Sequence, residues 1–225
     1  MFLFLYVKYP LGLESLDMKE EDYQKLQTGK TDLQGTDLQG ANLSGMFLWE
    51  ADLQGADLHG ANLTKTILSS SDLRGANLKN ADLQGANMSG AMAGDADLSG
   101  ANMSNTDLSG ANLVKTNLSC TTLKKAILTD ATLQGADLRN AILTDATLHG
   151  TNLIFADLSN ANLKGADLQC ARLVKTDLQG ANLTSSNMTG TTLWKANLSG
   201  TNLSGADLTN ANLRDTVYDK NTRGL

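Results

Sequence analysis

Aromatic residues are scarce in this chain, with ten in 225 positions, or 4%. An ordinary core of that length draws much of its buried area from Phe, Tyr and Trp, so their rarity argues against a conventional packed enzyme domain. Proline occurs once, as Pro10, and cysteine twice, as Cys120 and Cys170. No apolar run approaches the roughly 18 residues of a membrane-spanning helix. Positive charge is outweighed as well: the net charge is -6 and the pI about 4.8, a poor electrostatic match to a phosphate backbone, so direct nucleic-acid binding is not expected. A hydrophobic fraction of 41% nevertheless keeps the chain out of the disordered class.

What is abundant is a period. From Thr31 to Asp215 every fifth residue, beginning Leu33, Leu38, Leu43 and ending Leu208, Leu213, is aliphatic, giving 37 units without insertion or deletion. The centre is Leu in 33 of the 37 units, Met at 88, 103 and 188, and Ala at 93. Two positions earlier a small residue stands in 36 of 37, the exception being Met46, and directly before the centre Asp or Asn occurs 27 times. On an α-helix successive centres would step by about 140° and spray around the surface, and on a flat strand they would alternate faces. All of them point inward only if the chain bends at each unit and closes into stacked coils, with backbone groups pairing between coils about 4.8 Å apart.

Units such as Ala41-Asn42-Leu43-Ser44-Gly45 and Ala56-Asp57-Leu58-His59-Gly60 resemble the A(D/N)LXX pattern of the pentapeptide repeat family over about four fifths of the chain. The resemblance implies an all-β fold, a right-handed quadrilateral parallel β-helix of this pentapeptide-repeat solenoid type. It has four units per coil, with the central and small residues inside. Sorting units by fours supports a 20-residue coil: Asp or Asn precedes the centre in nine of nine coils on the wall of Leu38, against six of ten on the wall of Leu33. The expected rod has about nine coils and a length of about 44 Å. Ala93 should leave a gap in its core, filled by Met88, Met92 or Met103, since Met adapts to irregular space.

A solenoid needs covered ends. The expected organisation is an N-terminal segment and capping helix (1–30), the repeat β-helix (31–215), and a C-terminal cap and tail (216–225). Residues 17–28 have the marks of a short helix: Asp17 as N-cap, acids at Glu20, Glu21 and Asp22, Lys25 later, and Gly29 after the end. Met1 to Val7 lacks a basic start and a small-residue cleavage site, so a signal or membrane role is not expected. It reads as an apolar flap, or as translated from an upstream start with Met18 the natural one. Val217 and Tyr218 are expected over the last coil, followed by a polar tail.

Catalytic material is sparse. His59 and His149 fall on opposite walls, as do Cys120 and Cys170, which lie two and a half coils apart and cannot form an intramolecular disulfide without breaking the rod. Two free thiols fit a reducing, cytoplasmic location. His149 and Cys170 share a wall on adjacent coils but lack further ligands, so no metal site, cofactor or catalytic residue is expected. No phosphate loop, nucleophile elbow or Cys-x-x-Cys is present. Turn chemistry accounts for most of the Gly and Asp residues.

Function is therefore sought on the outer walls, numbered one to four from Leu33, Leu38, Leu43 and Leu48. Their net charges are +1, -4, +2 and -5. Wall two carries Asp37, Asp57, Asp97, Asp137, Asp157 and Asp177 in one column, interrupted by Asn77, Asn117 and Asn197. Members of the resembled family that protect topoisomerase look like duplex DNA to that enzyme, so an acidic DNA mimic binding a gyrase-type topoisomerase is one reading. Ordinary repeat composition is the other. No extended dimerisation helix or inserted loop of the kind found in those relatives is evident.

Wall one is more distinctive. Val114, Ile154, Val174 and Trp194 stand just after the centre, where Ser, Thr or Gln is typical, with Phe155 beside Ile154 and Lys115, Lys175 and Lys195 in the adjoining column. An outward Trp beside Val and Ile marks a partner-binding stripe, a self-association contact making a homodimer, or scattered surface apolarity. Phe47, Trp49 and Ile67 form a smaller group on wall four. The expected function is a non-catalytic solenoid scaffold for protein–protein interaction with an unidentified protein partner; ice binding is discounted because outward Thr is irregular.

Overall fold

The computed structural model describes residues 32–225, and no helix occurs among them. The expected helix at 17–28 and the apolar segment 1–7 lie outside the described residues. Among the described residues no helix is long and apolar enough to cross a membrane.

Parallel bridges link Asp32 to Asp52, Asp37 to Asp57, Asn42 to Asn62 and Phe47 to Ile67, and the offset of 20 persists to Asn197 and Val217. Five-residue units thus stack four to a coil, making a four-walled parallel β-helix. The register follows from the backbone. Each turn runs from one centre to the small residue of the next unit, as in Leu33-Gln34-Gly35-Thr36, closed by the Thr36 N–H donating to the Leu33 carbonyl at 3.2 Å. The third turn residue has φ between +55° and +71° in every unit from Gly35 to Asp215, as a type II turn requires. Twenty of these are not glycine, and they include Phe155 and Lys175.

Five backbone N–H groups per unit then need acceptors. The small residue's N–H closes the turn. Three others reach neighbouring coils: Leu33 donates to Asp52 at 2.7 Å, Gly35 to Gln54 at 2.8 Å, and Asp57 to Thr36 at 2.9 Å. The fifth, on the residue just after the centre, has no main-chain acceptor.

Every centre from Leu33 to Leu203 is buried, together with the small residues two places before the centres from Thr36 onward, Met46 alone being partly buried. A buried Leu contributes roughly 1.5 to 3 kcal/mol, largely offset by the cost of ordering the chain. Where Thr or Ser replaces Ala inside, its hydroxyl donates to a carbonyl, as Thr66 does to Leu43 at 2.8 Å and Thr36 to Leu33 at 2.7 Å. No buried side-chain N or O among the described residues lacks a partner. The interior is therefore aliphatic, with its few buried hydroxyls all bonded.

One expectation about the core is corrected. Met88 and Met103 are buried near Ala93, but Met92 points outward and is 39% exposed. It occupies the bridge position between Asp72 and Asn112, whose side chains face away from the core, so it fills no gap.

At the far end the chain past Asp215 continues to pair. Val217 bridges Asn197, and Arg223 bridges Asn202 at an offset of 21 instead of 20. The Asp219 carboxylate accepts the Gly200 N–H at 2.9 Å, and Thr222 Oγ1 donates to Leu198 O at 2.8 Å. Val217 and Tyr218 are exposed, and Leu208 and Leu213 are only partly buried.

Candidate interaction surface

The fifth N–H explains the acidic residues. In all 27 units with Asp or Asn before the centre, the side-chain Oδ1 accepts the N–H two residues on. The repeat thus places a side-chain acceptor where the main chain lacks one. Asp37, Asp57, Asp97, Asp137, Asp157 and Asp177 all do this on wall two. Asn77, Asn117 and Asn197 add a ladder bond, donating Nδ2 to Asp57, Asp97 and Asp177 at 2.9 to 3.1 Å.

The same column is partly neutralised. Arg139 grips Asp137 through two bonds of 2.8 and 2.6 Å and lies 3.8 Å from Asp157. The guanidinium hydrogen bond holds the Asp137 carboxyl below its ordinary range, against the opposing effect of partial burial. Arg74 does the same for Asp72 on wall one. Six carboxylates that brace turns, one of them tied to Arg, have a structural cause for their spacing.

The apolar stripe lies along the corner where wall one turns into wall two. Ile154, Val174 and Trp194 are half-buried on consecutive coils, and Val114 is set apart from them by Gln134. Phe155 stands beside them, 53% exposed, at φ +62°, a backbone conformation that bulky side chains rarely adopt. The lysines do more than edge the stripe. The Lys175 ammonium sits 5.2 Å from the Phe155 ring centre and Lys195 4.7 Å from that of Trp194, distances at which cation and ring attract. The Trp194 indole N–H donates to Asp215 at 3.0 Å.

Arg172 and Thr192 replace Asp or Asn on these coils, so the Val174 and Trp194 N–H groups have no acceptor among the described residues. Neither this missing acceptor nor the cation placement was visible in the repeat pattern; the signal was the substitution of Arg172 and Thr192 in the column that normally braces the turn.

Elsewhere the surface is chemically quiet. Cys120 and Cys170 are free and exposed. His149 and Cys170 gain no further ligand, and no group of three or more His, Cys, Asp or Glu side chains able to hold a metal occurs among the described residues. Phe47 bridges Ile67 on wall four, and Phe47 and Trp49 are exposed.

The family model described as pentapeptide repeats, in eight copies, matches residues 31–69, 71–110, 94–130, 106–145, 141–180 and 176–215. Among solved structures the chain is similar to HetL, a pentapeptide repeat protein involved in heterocyst differentiation regulation from the cyanobacterium Nostoc sp. strain PCC 7120. Identity is 33%, over 89% of this chain and 94% of that one, with a TM-score of 0.39. It is also similar to QnrB1, a plasmid-mediated fluoroquinolone resistance protein, at 19% identity over 80% and 90% of the two chains, with a TM-score of 0.47. A third is Rfr23 from the cyanobacterium Cyanothece 51142, at 30% identity over 56% and 88%, with a TM-score of 0.30. These TM-scores are low, so the architecture above stands on its own hydrogen-bond ladder. No curated protein sequence matches the chain.

Proposed function

Because the chain belongs to the pentapeptide repeat family, we propose that it acts as a non-catalytic scaffold that binds a protein partner through the stripe of Ile154, Phe155, Val174 and Trp194, with Val114 as an outlying contact. The observation that carries this is the run of Ile154, Val174 and Trp194 on three consecutive coils in one column, with Phe155 exposed in the adjoining column beside Ile154. Aromatic side chains flanked by cations on a rigid frame are the composition of binding hot spots. The rod presents them without ordering cost, since the turns that hold them are fixed by bonds between coils.

The acidic column supports a DNA-mimic role less well, because turn bracing already explains its residues and Arg139 cancels part of its charge. The test is a pull-down comparing wild type with Trp194→Ala/Val174→Ser, with oligomeric state measured in parallel. Loss of a specific partner by the variant supports the scaffold; unchanged partners and unchanged oligomeric state reject the stripe.

A further inference from the structure

Resting on that reading, we infer that the partner presents a short, extended acidic segment carrying at least one apolar side chain, and that it lies along wall one over its last four units, from Ile154 to Arg214. The chemistry of the wall there is one-sided. Arg172, Lys175, Lys195 and Arg214 stand on it against the single carboxylate Asp215, which accepts the Trp194 indole N–H and lies 3.8 Å from Arg214, so Arg172, Lys175 and Lys195 supply the surplus positive charge. Beside them the Val174 and Trp194 backbone N–H groups have no acceptor among the described residues, as in the other eight units that lack Asp or Asn before the centre, and here alone do two such groups lie on consecutive coils of this wall beside the lysines. Cations and N–H donors therefore converge on one strip, and the ligand class that answers both is a carboxylate. The neighbouring corner, formed by His149, Gly150, Gln169, Cys170, Thr189 and Gly190, carries no formal charge.

Size and surroundings narrow the occupant further. Ile154 to Arg214 spans about 14 Å at the strand spacing, the reach of about four extended residues. A single wall of that length is far smaller than the roughly 800 Å² per partner that a stable dimer buries, so it suits a segment better than a second rod. Around the corner Asp157 and Asp177 stand on wall two, and they repel a carboxylate that strays there. That arrangement confines an acidic ligand to wall one and excludes a nucleic-acid backbone, whose charge would extend over both.

The test uses the full chain as bait for a display library of random twelve-residue peptides, followed by affinity measurement of selected peptides at about 50 and 500 mM salt. Expected are peptides enriched in Asp and Glu with an aliphatic or aromatic residue. Their binding should weaken at least tenfold at the higher salt and at least tenfold in Lys175→Glu/Lys195→Glu, while the wall-three control Lys124→Glu/Lys164→Glu binds as wild type. Melting curves matching wild type verify that both variants fold. Neutral or basic selected peptides, no selected peptide, or binding that survives the charge reversal overturns the inference. So does a dimer in sedimentation that Lys175→Glu/Lys195→Glu disperses. If Trp194→Ala/Val174→Ser loses its partner but the partner's binding segment is not acidic, the scaffold stands and this inference falls; if that variant loses nothing, both fall.

Discussion

Asn197 donates its side-chain N–H to the Asp177 carboxylate one coil away at 3.1 Å, and the same carboxylate oxygen accepts the backbone N–H of Gln179 at 2.9 Å. Asn performs the turn-bracing task as well as Asp does and adds a bond along the rod. Asn-on-Asn contacts show that the ladder needs no charge, as with Asn62 on Asn42 and Asn182 on Asn162. Where Asp stacks on Asp, at 137, 157 and 177, like charges sit one strand spacing apart instead.

Asp177→Asn is therefore expected to stabilise the rod by about 0.5 to 1 kcal/mol, removing a repulsion and supplying a bond to Asp157. Thermal unfolding at low salt checks this, and a lowered melting temperature contradicts it. The double variant Asp157→Asn/Asp177→Asn keeps the turns while removing charge. Wild-type protein is expected to leave topoisomerase supercoiling unaffected at micromolar concentration; inhibition or protection abolished by the double variant would establish the mimic instead.

Acid should weaken the rod. The Asp137 carboxyl is held below its ordinary value by the Arg139 bond, so its folded pKa is below the unfolded one of about 3.9. Its contribution is present above that unfolded value and disappears as pH falls through the lowered folded value. Arg139→Ala is expected to be slightly less stable than wild type at pH 7, with the difference shrinking as the pH falls below the unfolded value and through the lowered folded one. A difference that persists in acid would assign the effect to lost packing.

Phe155 sits where the backbone favours Gly, Asn or Asp. Phe155→Asn should leave the melting temperature unchanged or raise it, by up to about 1 kcal/mol of relieved strain, despite the loss of the ring under Lys175. The same variant should bind the partner more weakly. A clear drop in stability would mean that the ring contact, not the partner, is why Phe stands there.

Ala93→Leu fills the one small centre in a core of Leu and Met. The expected gain is below the roughly 1.5 to 3 kcal/mol of a fully buried Leu, seen as a higher melting temperature. A lower one would show that Met88 and Met103 already close the space.

The repeat made the inside of this rod legible. Leu33 and its successors could be placed because only a coil points every fifth residue inward, and the Asp and Asn column could be tied to turns by its side-chain chemistry. The outside was less legible, since contacts between coils join residues about 20 apart whose rotamers the period does not set. That Lys175 covers Phe155 one coil away depends on such rotamers, and that Lys195 covers its own neighbour Trp194 depends equally on a rotamer the period does not set. Met92 looked like a core filler by composition, yet its position in the unit, before the centre, sends it outward. The tail's extra residue was hidden for another reason: past Asp215 the sequence stops repeating while the backbone continues to pair.

That extra residue has a consequence for assembly. Arg223 meets Asn202 one residue out of step with the 20-residue lattice. Gly224, at φ +84°, packs so tightly on the edge that a Cβ there would lie 2.5 to 2.6 Å from the backbone of Leu203 and Ser204. A rod whose coils all match would be a template for end-to-end polymerisation, each copy extending the ladder of the last. The slipped register takes this edge out of step with the lattice: an incoming 20-residue coil would not find the spacing that the coils within the rod share.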